Sequence, residues 1–324
     1  MRCVCILNSF GVGKNTFFLQ NCYFCRYLYQ IMHKFYYRIK ALRLFSLPLS
    51  LSGIIMGGLL ANSFGYFSWV IFGLALITAA ALHLTCNLAN DVGDYQSGND
   101  SFESIGYETM LLSGKLSVKE VKIMIGVLTA IAVISGIALI YFAFKNLFSL
   151  RALVMFLIGA FAVLAAIFYT IGKKPYGYRA LGDLAVFLFF GIAAVAGAFF
   201  LLTEKLPVII FLPAVSMGFL IAGVVNLNNI RDMENDKKYR KTIPILIGEK
   251  RAKLYQTLLV FLPFFLMMIF NLRLHKPLVS YLFASLLPFA IYHIVMVYKR
   301  NGLTLNKSMG ELIIITLLFV LSAI

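Results

Sequence analysis

Charged residues are scarce in this sequence. Only 13% of its 324 residues are Asp, Glu, Lys or Arg, whereas 61% are hydrophobic and the mean hydropathy is +0.89. Because soluble domains carry about 25% charged residues, this composition excludes a soluble globular protein. It favours a polytopic membrane protein.

Acidic residues are scarcer still, and they are unevenly spread. The chain has 13 Asp and Glu against 29 Lys and Arg, which gives a formal net charge of +16. Six of the 13 acidic residues fall in two short segments, 87–100 and 226–238. Such a concentration of few carboxylates indicates a specific role for both segments.

The N-terminal segment lacks complete ligand-binding motifs. Cys22 and Cys25 form one Cys-x-x-Cys pair, without the second pair that a zinc site needs. Segment 11–16 is similar to a phosphate-binding loop but lacks its first glycine and its Ser or Thr. We interpret residues 1–43 as a basic cytoplasmic segment. Met32 is an alternative start of the protein, in which case residues 1–31 would be an over-extension of the reading frame.

Long apolar runs are abundant, and nine of them approach or reach the length of about 20 residues that crosses a bilayer. The predicted spans are 44–62, 66–86, 122–143, 152–171, 183–202, 207–227, 254–271, 278–297 and 311–324. The sequence therefore predicts an all-α fold, with a transmembrane domain over 44–324.

The basic residues test this number of helices independently. With the N-terminus in the cytoplasm, 24 of the 29 Lys and Arg fall in cytoplasmic segments and 5 in outside loops. This asymmetry is what the positive-inside rule requires. Both acidic segments then lie on the cytoplasmic side, where basic loops would also attract anionic lipid and anionic substrates. Nothing in the pattern indicates nucleic-acid binding.

Each acidic segment follows an apolar run, and its polar residues share a helical spacing. Both segments contain the phrase Asn-Leu-x-Asn, which indicates an internal duplication. If each helix continues into its segment, residues spaced by about four positions share one face. They are Asn87, Asp91 and Asp94 in the first segment, and Asn228, Asp232 and Asp236 in the second. Two converging sets of carboxylates would suit Mg²⁺; the alternative is two ordinary polar helix ends.

Two further cytoplasmic segments are rich in basic residues. They are 169–183, between the fourth and fifth helices, and 237–251, which follows the second acidic segment. Their cations either bind a diphosphate or only determine the topology. The candidate diphosphate-binding residues are Lys173, Lys174, Arg179, Lys237 and Arg240.

From about residue 40 to its end, the chain resembles the UbiA superfamily of intramembrane prenyltransferases. The resemblance is in two aspartate-rich motifs, Asn87-x-x-Asn90-Asp91-x-x-Asp94-x-x-x-x-x-Asp100 and Asn228-Asn229-x-x-Asp232-x-x-x-Asp236. Segment Tyr169-x-x-x-Lys173 is similar to a third motif of that superfamily. The usual Arg-Pro opening of the first helix is replaced here by Arg43-Leu-Phe-Ser-Leu-Pro48.

This resemblance implies a UbiA-type bundle and a Mg²⁺-dependent transferase of alkyl groups other than methyl, with a polyprenyl diphosphate as donor. It implies metal ligation by Asp91, Asp94, Asp100, Asp232 and Asp236. Lys173 would add positive charge beside the diphosphate, and Tyr169 would shield an allylic cation with its ring. Residues Asn87, Asn90 and Asn228 would orient the carboxylates or metal-bound water.

The acceptor is expected to be an aromatic ring. Segments 87–95, 175–178, 181–183 and 228–232 look most like the branch that prenylates 1,4-dihydroxy-2-naphthoate in menaquinone synthesis, and that branch implies the bacterial inner membrane. Other acceptors of the superfamily, namely 4-hydroxybenzoate, homogentisate and a porphyrin-type ring, stay open. A cation-coupled transporter also places carboxylates in helices, but near the midplane of the bilayer. An alcohol phosphotransferase would need a paired Asp-Gly signature, which is missing.

Overall fold

The computed structural model describes residues 23–98, 109–169, 172 and 175–322. Its first helix, α1 (Tyr23–Ala41), precedes the first predicted span. Arg43 then adopts a left-handed conformation with φ 51°, which turns the chain before the single 3₁₀ turn Leu44–Ser46. Helix α2 (Leu47–Ser63) follows, with a proline in its first turn, a position that proline tolerates well because its missing N–H has no helical partner there.

Eight further long helices complete the described chain. They are α3 (Trp69–Ser97), α4 (Val118–Phe144), α5 (Leu150–Phe168), α6 (Gly182–Thr203), α7 (Phe211–Arg231), α8 (Glu249–Arg273), α9 (Leu287–Lys299) and α10 (Leu305–Ser322). The short helices are Met233–Asp236 and Ile243–Ile247, and the other 3₁₀ segments are Tyr176–Tyr178, Val208–Ile210, Leu278–Leu286 and Gly302–Thr304. Within α6, Phe187–Ala193 is wound as a π-helix.

Nine helical stretches of the described residues are long and apolar enough to cross a membrane, which confirms the predicted number. Most bounds agree with the sequence within a few residues. The first stretch begins at Gln30, 14 residues before its predicted start, because it includes part of α1. The largest difference at the end of a span is in α3, which continues to Ser97 although its apolar run ends near residue 86. Gly98 ends the helix with a left-handed φ of 74°, a conformation that glycine adopts without steric cost. Residues 87–97 of the first acidic segment therefore lie on a helix, as their spacing predicts.

Close contact between α2 and α6 sets the centre of the bundle. A Cβ atom on Gly53 would lie 2.3 Å from the carbonyl oxygen of Phe190, and one on Gly57 would lie 2.4 Å from that of Val195. Only glycine allows two backbones to approach this closely. Side chains of α2, α6, α7, α8 and α10 join in one buried apolar cluster that holds α7 in place.

Candidate active site at the ends of two helices

Residues 87–97 of the first acidic segment form the last turns of α3. Asp91 is buried, with only 2% of its surface exposed, and its carboxylate forms an ion pair with the guanidinium of Arg43. A buried carboxylate requires such a partner, because an uncompensated charge in an apolar interior is costly. Arg43 opens the first span in place of the Arg-Pro pair of the superfamily, and the structure places it directly on the first motif.

A network of polar side chains fixes the turn that carries Arg43. Ser46 Oγ donates to the Arg43 carbonyl oxygen at 2.9 Å and lies 2.8 Å from His83 Nε2. Asn87 Nδ2 donates to the carbonyl oxygen of Leu42 at 3.3 Å. Asn87 therefore holds the turn between α1 and α2 against α3. In this structure it acts on Asp91 through Arg43.

The second acidic segment begins where α7 ends. Asp232 interrupts the helix, yet Asp232 N still donates to Asn228 O and Asp236 N to Asp232 O, at 3.1 and 2.9 Å. The predicted spacing of about four residues is thus kept across the break. Arg231 holds the break with one edge of its guanidinium: Nε donates to Asp232 Oδ1 at 2.8 Å and Nη2 donates to Asp232 Oδ2 at 2.5 Å.

The same arginine connects Asp232 to its neighbours. Arg231 Nη2 also donates to Asn228 Oδ1 at 2.7 Å, and Nη1 donates to Asn306 Oδ1 at 2.7 Å, near the start of α10. Asn228 and Asp232 therefore share one arginine, and the role that the family resemblance implies for Asn228 in orienting the carboxylate stays a prediction.

Asp236 and Arg240 form a buried ion pair just after the break. Nη2 of Arg240 lies 2.8 Å from Oδ2 of Asp236. Burial raises the pKa of Asp236, although the Arg240 guanidinium opposes this shift. Burial by itself would lower the pKa of Arg240, but the carboxylates of Asp236 and Asp94 outweigh it and raise that pKa. Arg240 thus lies within the electrostatic reach of one aspartate from each motif.

Tyr178 links the first motif to the loop that follows the second motif. Its hydroxyl donates to Asp94 Oδ1 at 2.5 Å. Its carbonyl oxygen accepts from the backbone N–H of Lys241 at 3.0 Å, and Ala180 N donates back to Lys241 O at 2.8 Å. The segment after α5 is therefore joined to α3 on one side and to the loop after the second motif on the other. The two acidic segments converge, as their shared spacing predicts.

Tyr169 lies beside this junction at the end of α5. Its carbonyl oxygen accepts from Gly177 N at 2.9 Å, and its ring meets that of Tyr176 edge-on at 5.3 Å. Burial raises the pKa of its phenol, which the positive charge of Arg240 opposes. The side chain is therefore a neutral phenol within electrostatic reach of Arg240 and Asp183.

Asp183 and Asn229 were not among the predicted site residues. Asp183 is buried in the first turn of α6, and its Oδ1 accepts from Asn229 Nδ2 at 3.2 Å. This contact joins α6 to α7, the helix that carries the second motif. Asn229 stands inside the phrase Asn-Leu-x-Asn, so the motif itself was a signal for this residue. Arg43 and Tyr178 offered no comparable spacing signal.

The remaining predicted site residues are either described apart from the contacts above or not described. Lys237 pairs with Glu234 at 2.6 Å on the exposed surface, away from the buried carboxylates. Arg179 contributes its backbone to the bridge with Lys241, while its side chain is exposed. Asn90 is half-buried on α3. Asp100, Lys173 and Lys174 lie outside the described residues.

The described carboxylates are close without forming a compact cage. Within residues 23–98, 109–169, 172 and 175–322, no three His, Cys, Asp or Glu side chains are grouped so that they could hold a metal ion together. Each of Asp91, Asp232 and Asp236 has an arginine partner, and Asp94 has a tyrosine. The arrangement offers oxygen donors and arginines at the ends of two helices.

Comparisons with known proteins agree with this geometry. The model of the UbiA prenyltransferase family matches residues 50–320. The 1,4-dihydroxy-2-naphthoate octaprenyltransferase of Haemophilus influenzae is 35% identical over 278 residues, which cover 84% of this chain and 89% of that protein. The enzyme of the same name from Escherichia coli is 36% identical over 255 residues, covering 78% and 82%.

Solved structures support the fold. A UbiA homologue from Aeropyrum pernix matches with a TM-score of 0.67 at 17% identity, covering 87% of this chain and 97% of its own. A UbiA homologue from Archaeoglobus fulgidus, bound to GPP and Mg²⁺, matches with a TM-score of 0.58 at 18% identity, covering 86% and 97%. The predicted fold class and family resemblance are both confirmed.

Proposed function

The chain belongs to the UbiA prenyltransferase family, and we propose that it transfers a polyprenyl group from a polyprenyl diphosphate to 1,4-dihydroxy-2-naphthoate, with loss of the ring carboxylate as CO₂. It is an integral membrane protein and a prenyltransferase. One structural observation carries the proposal: Tyr178 and Arg240 bring the two aspartate motifs together. The names of the relatives support the naphthoate acceptor over the other rings of the superfamily.

The residues present fit a divalent cation. All candidate ligands offer carboxylate oxygen, the donor that Mg²⁺ prefers, and each motif can supply the one or two carboxylates that one such ion binds, with its other positions kept for water and phosphate. Mg²⁺ would be held by Asp91, Asp94, Asp232 and Asp236, with Asp100 contributing from outside the described residues. When bound, the ion supplies positive charge that stabilises the diphosphate leaving group.

The arginines of the site have a second role in this proposal. Arg43 and Arg240 now pair with Asp91 and Asp236, and a guanidinium binds phosphate oxygens as well as carboxylates. With substrate bound, they can turn to the diphosphate. Lys173, Lys174 and Arg179 would add charge from the neighbouring segment, and Lys237 would do so from the surface.

The reaction breaks the C–O bond between the allylic carbon and the diphosphate, and the electron pair leaves with the diphosphate. Tyr169 faces the resulting allylic cation as a neutral ring in this proposal, and its π face stabilises the positive charge. The electron-rich ring of the acceptor then forms the new C–C bond at the carbon that carries the carboxylate, and CO₂ departs. The buried environment of Tyr169 and Asp236 excludes the water that would otherwise capture the cation.

The orientation is also part of the proposal. Lys and Arg are concentrated on the side of the bundle that carries both motifs, which supports an active site facing the cytoplasm and a location in the bacterial inner membrane. In this orientation the basic segment 1–43 lies in the cytoplasm, and the transmembrane domain 44–324 enters the membrane from that side.

A transfer assay tests the chemistry. Purified protein in nanodiscs would receive labelled polyprenyl diphosphate with the naphthoate or with 4-hydroxybenzoate, with and without Mg²⁺, alongside an Asp232→Asn control. We expect Mg²⁺-dependent product with the naphthoate alone, lost in the variant. Product only with another ring would keep the mechanism and overturn the acceptor. A folded protein without product from any acceptor would overturn the proposal and favour a transporter.

A further inference from the structure

The N-terminal helix α1 has two unlike faces. Its inner face packs on the start of α4: Tyr37 and Ala41 join the apolar cluster that contains Val121. The opposite face carries exposed apolar and aromatic side chains at helical spacing. They are Ile31, Met32, Phe35, Tyr36 and Ile39, which are 38–63% exposed. A helix with this pattern typically lies in the interface of a membrane.

Basic side chains gather where α1 meets α4. Lys34 Nζ lies 2.9 Å from Glu120 Oε1, and Arg38 Nη2 lies 3.6 Å from the same oxygen. Lys115 Nζ stands 5.7 Å from the centre of the Tyr37 ring. Among the side chains that the structure describes, α1, the start of α4 and the residues just before α4 carry six cations but one carboxylate, Glu120. The cations are Lys34, Arg38, Lys40, Lys115, Lys119 and Lys122.

An apolar groove starts at this basic patch. It has a volume of about 340 Å³, with Arg38 and Glu120 at one end and Ile123, Val127 and Leu128 along its length. Eight residues separate Glu120 from Leu128, so the groove follows α4 for about 12 Å. Because α4 is a candidate membrane span and Ile123 and Val127 are more than half exposed, the groove runs from the level of the headgroups towards the hydrocarbon.

We propose that this groove binds one anionic phospholipid, whose headgroup contacts Lys34 and Arg38 and whose acyl chain lies along Ile123, Val127 and Leu128. Charge complementarity selects the headgroup, since cations near a membrane surface each contribute about 1 kcal/mol towards anionic lipid. The site is separate from the carboxylates of the two motifs. It anchors α1, and this helix ends two residues before Arg43, the residue that pairs with Asp91.

Lipid binding to the delipidated full chain tests the site. Phosphatidylglycerol or phosphatidylcholine is titrated into the detergent-solubilised protein, and bound lipid is counted by native mass spectrometry. We expect wild type to prefer phosphatidylglycerol, and K34Q/R38Q to bind it about 30-fold more weakly. The matched control K299Q/K307Q removes two exposed lysines around the α9–α10 connection and should keep the wild-type affinity.

A second variant tests the groove without changing charge. Val127→Trp fills the groove and should reduce phosphatidylglycerol binding, with an unchanged KM for polyprenyl diphosphate. Equal affinity of wild type for both lipids, or an equal loss in K299Q/K307Q, would overturn the proposal. A raised KM for the diphosphate in Val127→Trp would assign the groove to the prenyl tail instead. If K34Q/R38Q does not fold, K119Q/K122Q at the start of α4 decides the same question, with a smaller expected loss.

Discussion

The two aspartate motifs are stabilised in different ways. In the second motif the partners are near in sequence: Arg231 precedes Asp232 directly, and Arg240 follows Asp236 by four residues. In the first motif the partners are distant, since Arg43 stands 48 residues before Asp91 and Tyr178 stands 84 residues after Asp94. The second motif supplies its own cations, whereas the first depends on the folding of the whole bundle.

This difference has a physical consequence for an internal duplication. Both segments keep the phrase Asn-Leu-x-Asn and the spacing of about four residues, so they offer similar oxygen donors. Their partners differ, because the carboxylates of the first motif contact an arginine of the α1–α2 turn and a hydroxyl of the segment after α5. The carboxylates alone are therefore similar in the two halves, and asymmetry lies in the groups that hold them.

The largest expected effect comes from removing one carboxylate from each motif. Asp94→Asn and Asp236→Asn should each lower kcat by about a thousandfold, because each removes negative charge that the proposed cation site requires. If the two motifs act as one site, the double variant should lose little more than either single variant. Transfer assays on the three variants at saturating Mg²⁺ measure this. Losses that multiply would show two independent sites.

The next effect concerns stability and should be specific to the first motif. Arg43→Gln leaves Asp91 buried without its cation and should lower the free energy of unfolding by about 3 kcal/mol. Adding Asp91→Asn removes the buried charge, so the double variant should regain part of that loss. SDS-induced unfolding in mixed micelles measures the cycle. Additive losses would mean that Arg43 stabilises the turn independently of Asp91.

A smaller effect is expected at Tyr178. Tyr178→Phe removes the hydrogen bond to Asp94, which should lower the free energy of unfolding by about 1.5 kcal/mol because the acceptor is charged. Tyr176→Phe is the matched control, since its hydroxyl donates to the carbonyl oxygen of Ala165 and not to an aspartate. The apparent Mg²⁺ affinity from assays should fall in the first variant only. Equal effects in both would indicate a general packing role.

The sequence predicted the fold and the acidic half of the site, but not the arginine and tyrosine that complete it. Apolar runs and basic loops are local signals, so nine helices could be counted and α3 could be continued through Asp94. Arg43 and Tyr178 acquire their roles only when α2, α3 and the segment after α5 meet, and no periodicity records such contacts. The predicted diphosphate contact of Lys237 rests on its proximity to the motif; the structure shows Lys237 in an exposed pair with Glu234, and the contact stays a prediction.

The smallest effect is expected at the exposed pair of Lys237 and Glu234, which lies beside the second motif. Lys237 and Glu234 are 47% and 73% exposed in their side chains, and exposed ion pairs contribute about 0–1 kcal/mol. Glu234→Gln should therefore change neither stability nor kcat measurably. Lys237→Gln distinguishes a surface cation from a diphosphate ligand. An unchanged KM for polyprenyl diphosphate would mean that Lys237 is only a surface cation. A several-fold rise in KM would mean that Lys237 gives up its pair with Glu234 and binds the diphosphate. Lys238→Gln, one residue further along the same surface, is the control for lost charge.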